Sequence, residues 1–449
     1  MLDVGRHPNI ELMAYSEVEK VDGEAGDFRV TVRRKARYVE EDRCTGCGAC
    51  KEKCPTIVPD AFEEGLGSRR AIYSWFAQGI PSTHTIDPDH CRQLNGKKCG
   101  ICQKVCQADA VNFEQKDRVV ELDVGAIIVA SGYKVFDPSQ IPEYQYRQIL
   151  NVITAIEFER LLSASGPTAG HLHRPSDLAV EAEIQGLEKK VKKSQKVIHK
   201  FEQKYDLKSA AFYDAYNNGA YEGDEDRKKW ADKYVSHLAL VEPLEALKKE
   251  ADGFSVAKRL AFIQCVGSRD FRFYPFCSGY CCMHSIKEAI IANEHESETT
   301  SVLFGMDIRA VGKGFEEYKV RGGNNSGIRY IRGRVAEIRE GPDYNPVVTY
   351  EDTRERKVKE VDFDLVILAT ACAPNEGVEA LAEILGIEMN RFGFFQTGTS
   401  QPLDTTRPGI FACGCAHGPM DIPESVAQAS GAAARAAQTI TMSQMRKAS

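Results

Sequence analysis

The chain has 449 residues, 43% of them apolar and 27% charged, enough to bury a sizeable core spread over about three domains. Its 58 Lys plus Arg stand against 65 Asp plus Glu, and the net charge of -7 excludes a broad basic surface for nucleic acid. No apolar run approaches the roughly 18 residues of a membrane helix, and no signal-peptide pattern opens the chain, so a soluble, cytoplasmic protein is expected.

In chain order, the first element runs from Ile10 to Val32 and reads as a β-meander. The run Cys44-x2-Cys47-x2-Cys50-x3-Cys54-Pro55 follows. It matches the bacterial ferredoxin spacing for a 4Fe-4S cluster, whose fourth cysteine ligates the partner cluster. A second run, Cys91-x7-Cys99-x2-Cys102-x3-Cys106, keeps the last two spacings and lengthens the first. Crossing the fourth cysteines gives one cluster on Cys44, Cys47, Cys50 and Cys106, and another on Cys54, Cys91, Cys99 and Cys102. Gly46, Gly48 and Gly100 let backbone amides come close to the sulfurs. The competing reading is a pair of zinc sites, but zinc ligands usually come as two separated pairs.

The stretch Asp123 to Gly132 reads as a buried strand ending in the small-residue turn Ser131-Gly132-Tyr133. From Pro175 to Ala251 the chain is strongly charged and helix-prone, which predicts a helical hairpin whose lysine runs are solvated surface. The strand Arg259 to Gln264, a helix over about Cys281 to Asn293 and the strand Ser301 to Gly305 make a βαβ unit. Its first loop, where a glycine-rich phosphate cradle belongs, holds Cys265-x11-Cys277-x3-Cys281-Cys282 instead. Those four thiols read as ligands of a third 4Fe-4S cluster, against the alternative of buried structural cysteines, and no NAD or NADP is expected there. For Cys372 a plain core thiol is the simpler reading.

The pattern Ile328 to Tyr350 followed by Asp362 to Ala371 repeats that of Ile10 to Val32 followed by Asp123 to Gly132. Ile10 to Ala130 spans 120 positions and Ile328 to Ala369 spans 41, so the first copy carries 79 extra residues. The stretch with the first eight cysteines has that size, which predicts a ferredoxin module inserted into one loop of a duplicated α/β scaffold. The chain closes with Thr406 to Ala416 and Asp421 to Gly431, read as strand, turn and helix.

Two such copies resemble the two-dinucleotide-domain flavoproteins of the thioredoxin reductase type. The resemblance implies FAD on Ser131, Gly132, Tyr133, Gly414, Cys415, Ile422, Pro423, Glu424 and Ser425, with Cys415 standing where those proteins usually place an Asp. By comparison with the second copy, the βαβ unit that grips the adenine half of FAD is not present before Ile10, so a truncated or split form is expected, with a separate chain supplying the missing half.

The inserted ferredoxin, Gln264-Cys-Val-Gly-Ser-Arg-Asp270, Cys277-x3-Cys-Cys-Met-x-Ser-Ile-Lys-Glu288, Met306-Asp-Ile-Arg309 and Asp421-Ile-Pro-Glu-Ser425 together resemble the A-subunit family of heterodisulfide reductases. That resemblance implies FAD, several 4Fe-4S clusters, and electron transfer among soluble partners, in some members by bifurcation. It assigns no chemistry to Met306 to Arg309. The expected function is an electron-transferring flavo-iron-sulfur subunit of such a complex, fed by a hydrogenase- or ferredoxin-type donor. A flavin-free ferredoxin-like wire and assembly scaffold is the alternative. The expected fold is α/β. Residues 1-35 and 119-175 form a partial FAD domain, 36-118 the inserted α+β ferredoxin, 176-255 the helical insertion, 256-375 a second dinucleotide-like domain with the third cluster, and 376-449 the return to the FAD domain.

Overall fold

The computed structural model describes residues 2–448. Strands β1 (Ser16–Glu24) and β2 (Asp27–Arg34) form an antiparallel hairpin, in which Phe28, Val30 and Val32 alternate inward onto one buried face. The chain then leaves for a cysteine-rich module and returns as β3 (Arg118–Val124), paired with β2 from Phe28↔Val124 to Arg34↔Arg118. Inside the module two short helices, α1 (Ala49–Lys53) and α2 (Ile101–Val105), pack on each other. Each is preceded by a glycine in the left-handed region, Gly48 and Gly100, both at φ 80°. Each ends at an extended cysteine, Cys54 and Cys106, which turns the chain out of its own helix.

β4 (Ile127–Val129) and β5 (Tyr133–Val135) bracket the turn at Ser131 and Gly132. β6 (Val152–Thr154) runs into α3 (Ala155–Leu162), opened by a capping box between Thr154 and Glu157. The long helices α4 (Pro175–Tyr205) and α5 (Glu225–Ala251) form a hairpin with its own small aromatic core. There Trp230 stacks on Phe212 at 3.8 Å between centroids and donates its indole N–H to Ser209 Oγ. Lys189, Lys190, Lys192 and Lys193 are exposed.

β7 (Arg259–Val266), α6 (Cys281–His295) and β8 (Thr300–Gly305) form the βαβ unit. β9 (Ile328–Glu340), β10 (Pro346–Asp352) and β11 (Lys357–Asp362) make a second meander that leads into β12 (Leu365–Thr370). One seven-stranded sheet results, in the order β6-β12-β7-β8-β9-β10-β11, parallel through β9 and antiparallel beyond it. Every residue of β12 is buried, as expected of a central parallel strand covered on both faces. The meander of β1, β2 and β3 leading to β4 has the same order as that of β9, β10 and β11 leading to β12, so the repeat seen in the sequence is a repeat of structure. β13 (Cys372–Pro374) pairs with β5, and β14 (Ile410–Ala412) runs parallel to β4, delivering a one-turn 3-10 helix (Gly414–Ala416) and the long helix α7 (Ile422–Ala448). Among the described residues, no helix is long and apolar enough to cross a membrane.

Candidate functional site: three thiol groups and a large cavity

The ferredoxin-spaced cysteines sort by neighbourhood rather than by run. Cys50, at the core of the module, feels the charge of Cys44 and of Cys106, which comes from the second run. Cys102 feels Cys91 first and then, from the first run, Cys54 ahead of Cys50. Cys54, Cys91, Cys99 and Cys102 line one small cavity walled by Ile72, Ile86 and Phe113. The extended backbone at Cys54 and Cys106 is the local cause, since a cysteine kept in the helix would face its own run.

Burial pushes the Cys50 thiol up to about 11 and the Cys102 thiol up to about 12, with neighbouring thiolates adding to the effect. Crowded, desolvated sulfurs of this kind hold protons until a cation replaces them. Backbone amides aim at several of them. Ala49 N–H lowers Cys47, Lys51 N–H and Gln103 N–H oppose the rise at Cys50 and Cys102, and Ala110 N–H donates to Cys106 Sγ at 3.3 Å. An all-thiol donor set ringed by amides fits an iron-sulfur cubane. Among the described residues no three His, Cys, Asp or Glu side chains converge on the position of a single metal ion.

The third group gathers where β7 ends. Cys265 adopts φ 62°, and Cys277, Cys281 and Cys282 lie within its electrostatic reach. Burial raises Cys265 and Cys281 and takes Cys282 to about 11. Gly279 N–H donates to Cys277 Sγ at 3.4 Å, and the Arg309 amide donates to Cys282. The stretch Met306 to Arg309, expected to carry no chemistry, thus lies against these thiols, and its Asp307 is paired with Arg269 beside Cys265.

A cavity of about 1180 Å³ opens between β5, α6 and the start of α7. Gly132, Tyr133, Gly414, Cys415, Ile422, Pro423 and Ser425 line it, which brings seven of the nine expected flavin contacts together. The other two differ. Ser131 has its hydroxyl buried beside the cavity without a partner, the kind of orphan that a polar ligand would satisfy. The Glu424 carboxylate instead accepts from Asp421 N–H at 3.1 Å while Glu424 N–H donates to Asp421 Oδ1, a capping box that turns Glu424 away from the lining. Gly132 at φ 71° and Gly414 at φ 63° hold turns that a side chain would strain. The donor set, cavity size and orphaned hydroxyl fit a dinucleotide-sized cofactor.

Sequence reasoning missed several lining residues, among them Tyr280, His284, Lys287 and Lys313. Tyr280 lies 5.7 Å from the Tyr133 ring. His284 is pushed down to about 4 by burial, and Glu288 behind it, at 3.4 Å, is pushed well up by its own burial, so desolvation opposes charge on both. The spacing of His284 and Lys287 on α6 was legible as a helix face, but the cavity they line is closed on its far sides by β5 and the start of α7, more than a hundred residues away. Cys372, read as a core thiol, is fully buried and hydrogen-bonded to Cys415. The contact raises Cys372 and lowers Cys415 to about 6.

Residues 37–56 match the family of 4Fe-4S binding domains. Over 440 residues, 97% of this chain and 54% of the relative, the sequence is 39% identical to the A subunit of the H(2):CoB-CoM heterodisulfide,ferredoxin reductase of Methanothermobacter thermautotrophicus. It is 41% identical, over 98% of this chain and 55% of the relative, to an iron-sulfur A subunit of the CoB--CoM heterodisulfide reductase of Methanopyrus kandleri. The A subunit of the Ferredoxin:CoB-CoM heterodisulfide reductase of Methanosarcina acetivorans is 36% identical over 98% of this chain and 49% of its own length. The chain thus spans about half the length of these curated relatives. Among solved structures, Lactococcus lactis thioredoxin reductase aligns at 20% identity and a TM-score of 0.30 over 43% of this chain and 55% of that one, which adds nothing to the topology described above.

Proposed function

We propose that this chain, homologous over nearly its full length to the A subunits of heterodisulfide reductases, is an electron-transferring flavo-iron-sulfur subunit of a larger oxidoreductase complex. The observation that carries the reading is the crossing of the two runs, Cys54 toward Cys91 and Cys102, and Cys106 toward Cys50. Packing alone does not require two helices to exchange their terminal thiols.

Bound 4Fe-4S clusters and FAD would supply one- and two-electron redox chemistry. The chain's own residues do the rest. Three sets of thiols would hold the clusters: Cys44, Cys47, Cys50 and Cys106; Cys54, Cys91, Cys99 and Cys102; and Cys265, Cys277, Cys281 and Cys282. Ile72, Ile86 and Phe113 keep water from the second set. Backbone amides bias the sulfurs toward the anionic form. Gly132, Tyr133, Gly414 and the first turn of α7 would hold the flavin, with Lys287 and Lys313 offering positive charge to its phosphates. Residues 1-35, 119-175 and 376-449 form the flavin body, 36-118 the ferredoxin module, 176-255 the helical insertion and 256-375 the second dinucleotide-like domain. Its partners are the other subunits of a heterodisulfide reductase-like complex and a hydrogenase- or ferredoxin-type donor.

The test is an anaerobic preparation analysed for iron, flavin and paramagnetism. About twelve iron atoms per chain are expected from three four-iron clusters. About eight would remove the Cys265 group, and a colourless protein that carries zinc would end the reading. Flavin absent from a fully iron-loaded chain would leave the electron wire without FAD.

A further inference from the structure

We propose that a second cavity, where β8 ends beside β9, binds a small phosphate monoester, its anionic head held between Arg332 and Arg354 and its apolar body against Ile308 and Ile331. This cavity measures about 490 Å³, within the usual range for small-molecule sites. It shares no lining residue with the large cavity.

The sheet order creates the space. β8 stops at Gly305, in register with Arg332, while β9 runs on to Glu340 to pair with β10. Open α/β sheets bind ligands outside the carboxyl ends of their strands. The loop Met306 to Ile308 closes one side, and the helix Phe315–Asn325 closes another through Lys319. The turn after β10 closes a third. Thr353 donates its N–H at 3.1 Å and its hydroxyl at 2.8 Å to Arg332 C=O, which keeps the next residue, Arg354, in the same wall as Arg332.

Charge selects the ligand. Four cations, Arg269, Lys319, Arg332 and Arg354, line the cavity against one carboxylate, Asp307, in a chain whose net charge is -7. Asp307 pairs with Arg269, and Glu316 pairs with Lys319. The carboxylates nearest Arg354 in sequence, Asp352 and Glu355, both pair with Lys359. Among the described residues, the guanidiniums of Arg332 and Arg354 have no ion pair and no hydrogen bond. Two unpaired guanidiniums in one wall repel each other, and a dianion between them converts that cost into attraction. Guanidinium forks also match phosphate oxygens two by two, which a lone ammonium cannot do. Met306, Ile308 and Ile331 make the rest of the wall apolar, so an ester with an apolar body fits better than free phosphate.

The probes are phenyl phosphate and inorganic phosphate, titrated by calorimetry into the anaerobically prepared full chain. Expected is saturable binding of phenyl phosphate at one site per chain, tighter than that of inorganic phosphate. Arg332→Gln and Arg354→Gln should each weaken it by about tenfold. Both side chains are exposed, so neither exchange endangers the fold. Lys189→Gln, which removes an exposed cation elsewhere, should change nothing. The proposal is overturned if phenyl phosphate does not saturate, binds no more tightly than inorganic phosphate, or binds both arginine variants as well as the wild type. Because the readout is binding of a redox-inert ligand, the outcome is independent of the iron and flavin content.

Discussion

Arg34 and Arg118 face each other on the last rung between β2 and β3, so the whole cysteine module leaves and re-enters the body at one point. The second meander crosses the equivalent gap, Asp352 to Lys357, in four residues. Replacing residues 35–117 with a two-residue Asn-Gly turn should therefore leave the body folded, because that turn matches the twist of an antiparallel pair. Arg160→Leu belongs in the same variant, since the excision removes that guanidinium's partner. The expected product unfolds cooperatively by circular dichroism and retains about four of about twelve iron atoms. An unfolded product would mean that the module is part of the body's core.

Arg160 on α3 grips Glu63 of the module with two hydrogen bonds, 3.0 and 3.1 Å, and both side chains are nearly sealed from solvent. Truncating one partner strands a buried charge, so Arg160→Ala should destabilise the chain by about 3 kcal/mol, read from denaturant unfolding. Glu63→Leu combined with Arg160→Leu should recover most of that loss. Equal damage from the single and double variants would show that the pair contributes only through packing.

The crossed ligand sets have their own genetic signature. Cys54→Ala should remove the same reduced-state paramagnetic signal as Cys102→Ala, although Cys54 belongs to the first run. Cys106→Ala should match Cys50→Ala. If Cys54→Ala pairs with Cys50→Ala instead, each run serves its own cluster and the assignment is wrong.

Asp270 titrates at about 2, held down chiefly by hydrogen bonds from Arg272, with Arg334 of β9 also in contact at 3.1 Å. Its ordinary value is about 3.9, so the unfolded chain takes up this proton first as pH falls. The stabilisation is complete above about pH 4 and fades as pH falls through about 2. Asp270→Asn lacks it at every pH. The gap in melting temperature between wild type and variant should be widest at neutral pH and narrow between pH 4 and pH 3. A gap independent of pH would assign the effect to packing.

How much of this was legible in the sequence follows from the range of each interaction. Cys44 to Cys54 announce their chemistry through local spacing, and the repeat is visible because β1 to β4 and β9 to β12 obey the same alternation. The extent of the hairpin Pro175 to Ala251 follows from composition. Contacts set by the sheet order were not legible. The turn after β14 carries Cys415 toward β13 and Cys372, and Tyr280, Lys287 and Lys313 line one cavity with Tyr133 of β5, residues far apart in the chain. Glu424 was placed by analogy, while its local capping box with Asp421 decides its direction. That signal was available, as an acidic residue three positions after an acidic cap.

Gly267 supplies the sharpest test of the third thiol group. Its φ is +78°, and a Cβ there would sit 2.4 Å from the ring of Phe136, which is 3% exposed and packed on Phe273. Gly267→Ala therefore carries a left-handed backbone cost of about 1–2 kcal/mol and a clash with a ring that has no room to retreat. The strain falls two residues after Cys265, where the chain must turn to bring Cys277 back. The expected result is loss of about four iron atoms with the ferredoxin signals intact. Adding Phe136→Leu removes the clash but leaves the backbone cost, so iron should return only in part. Full iron occupancy in Gly267→Ala would show that the Cys265 loop needs no such turn to hold its cluster.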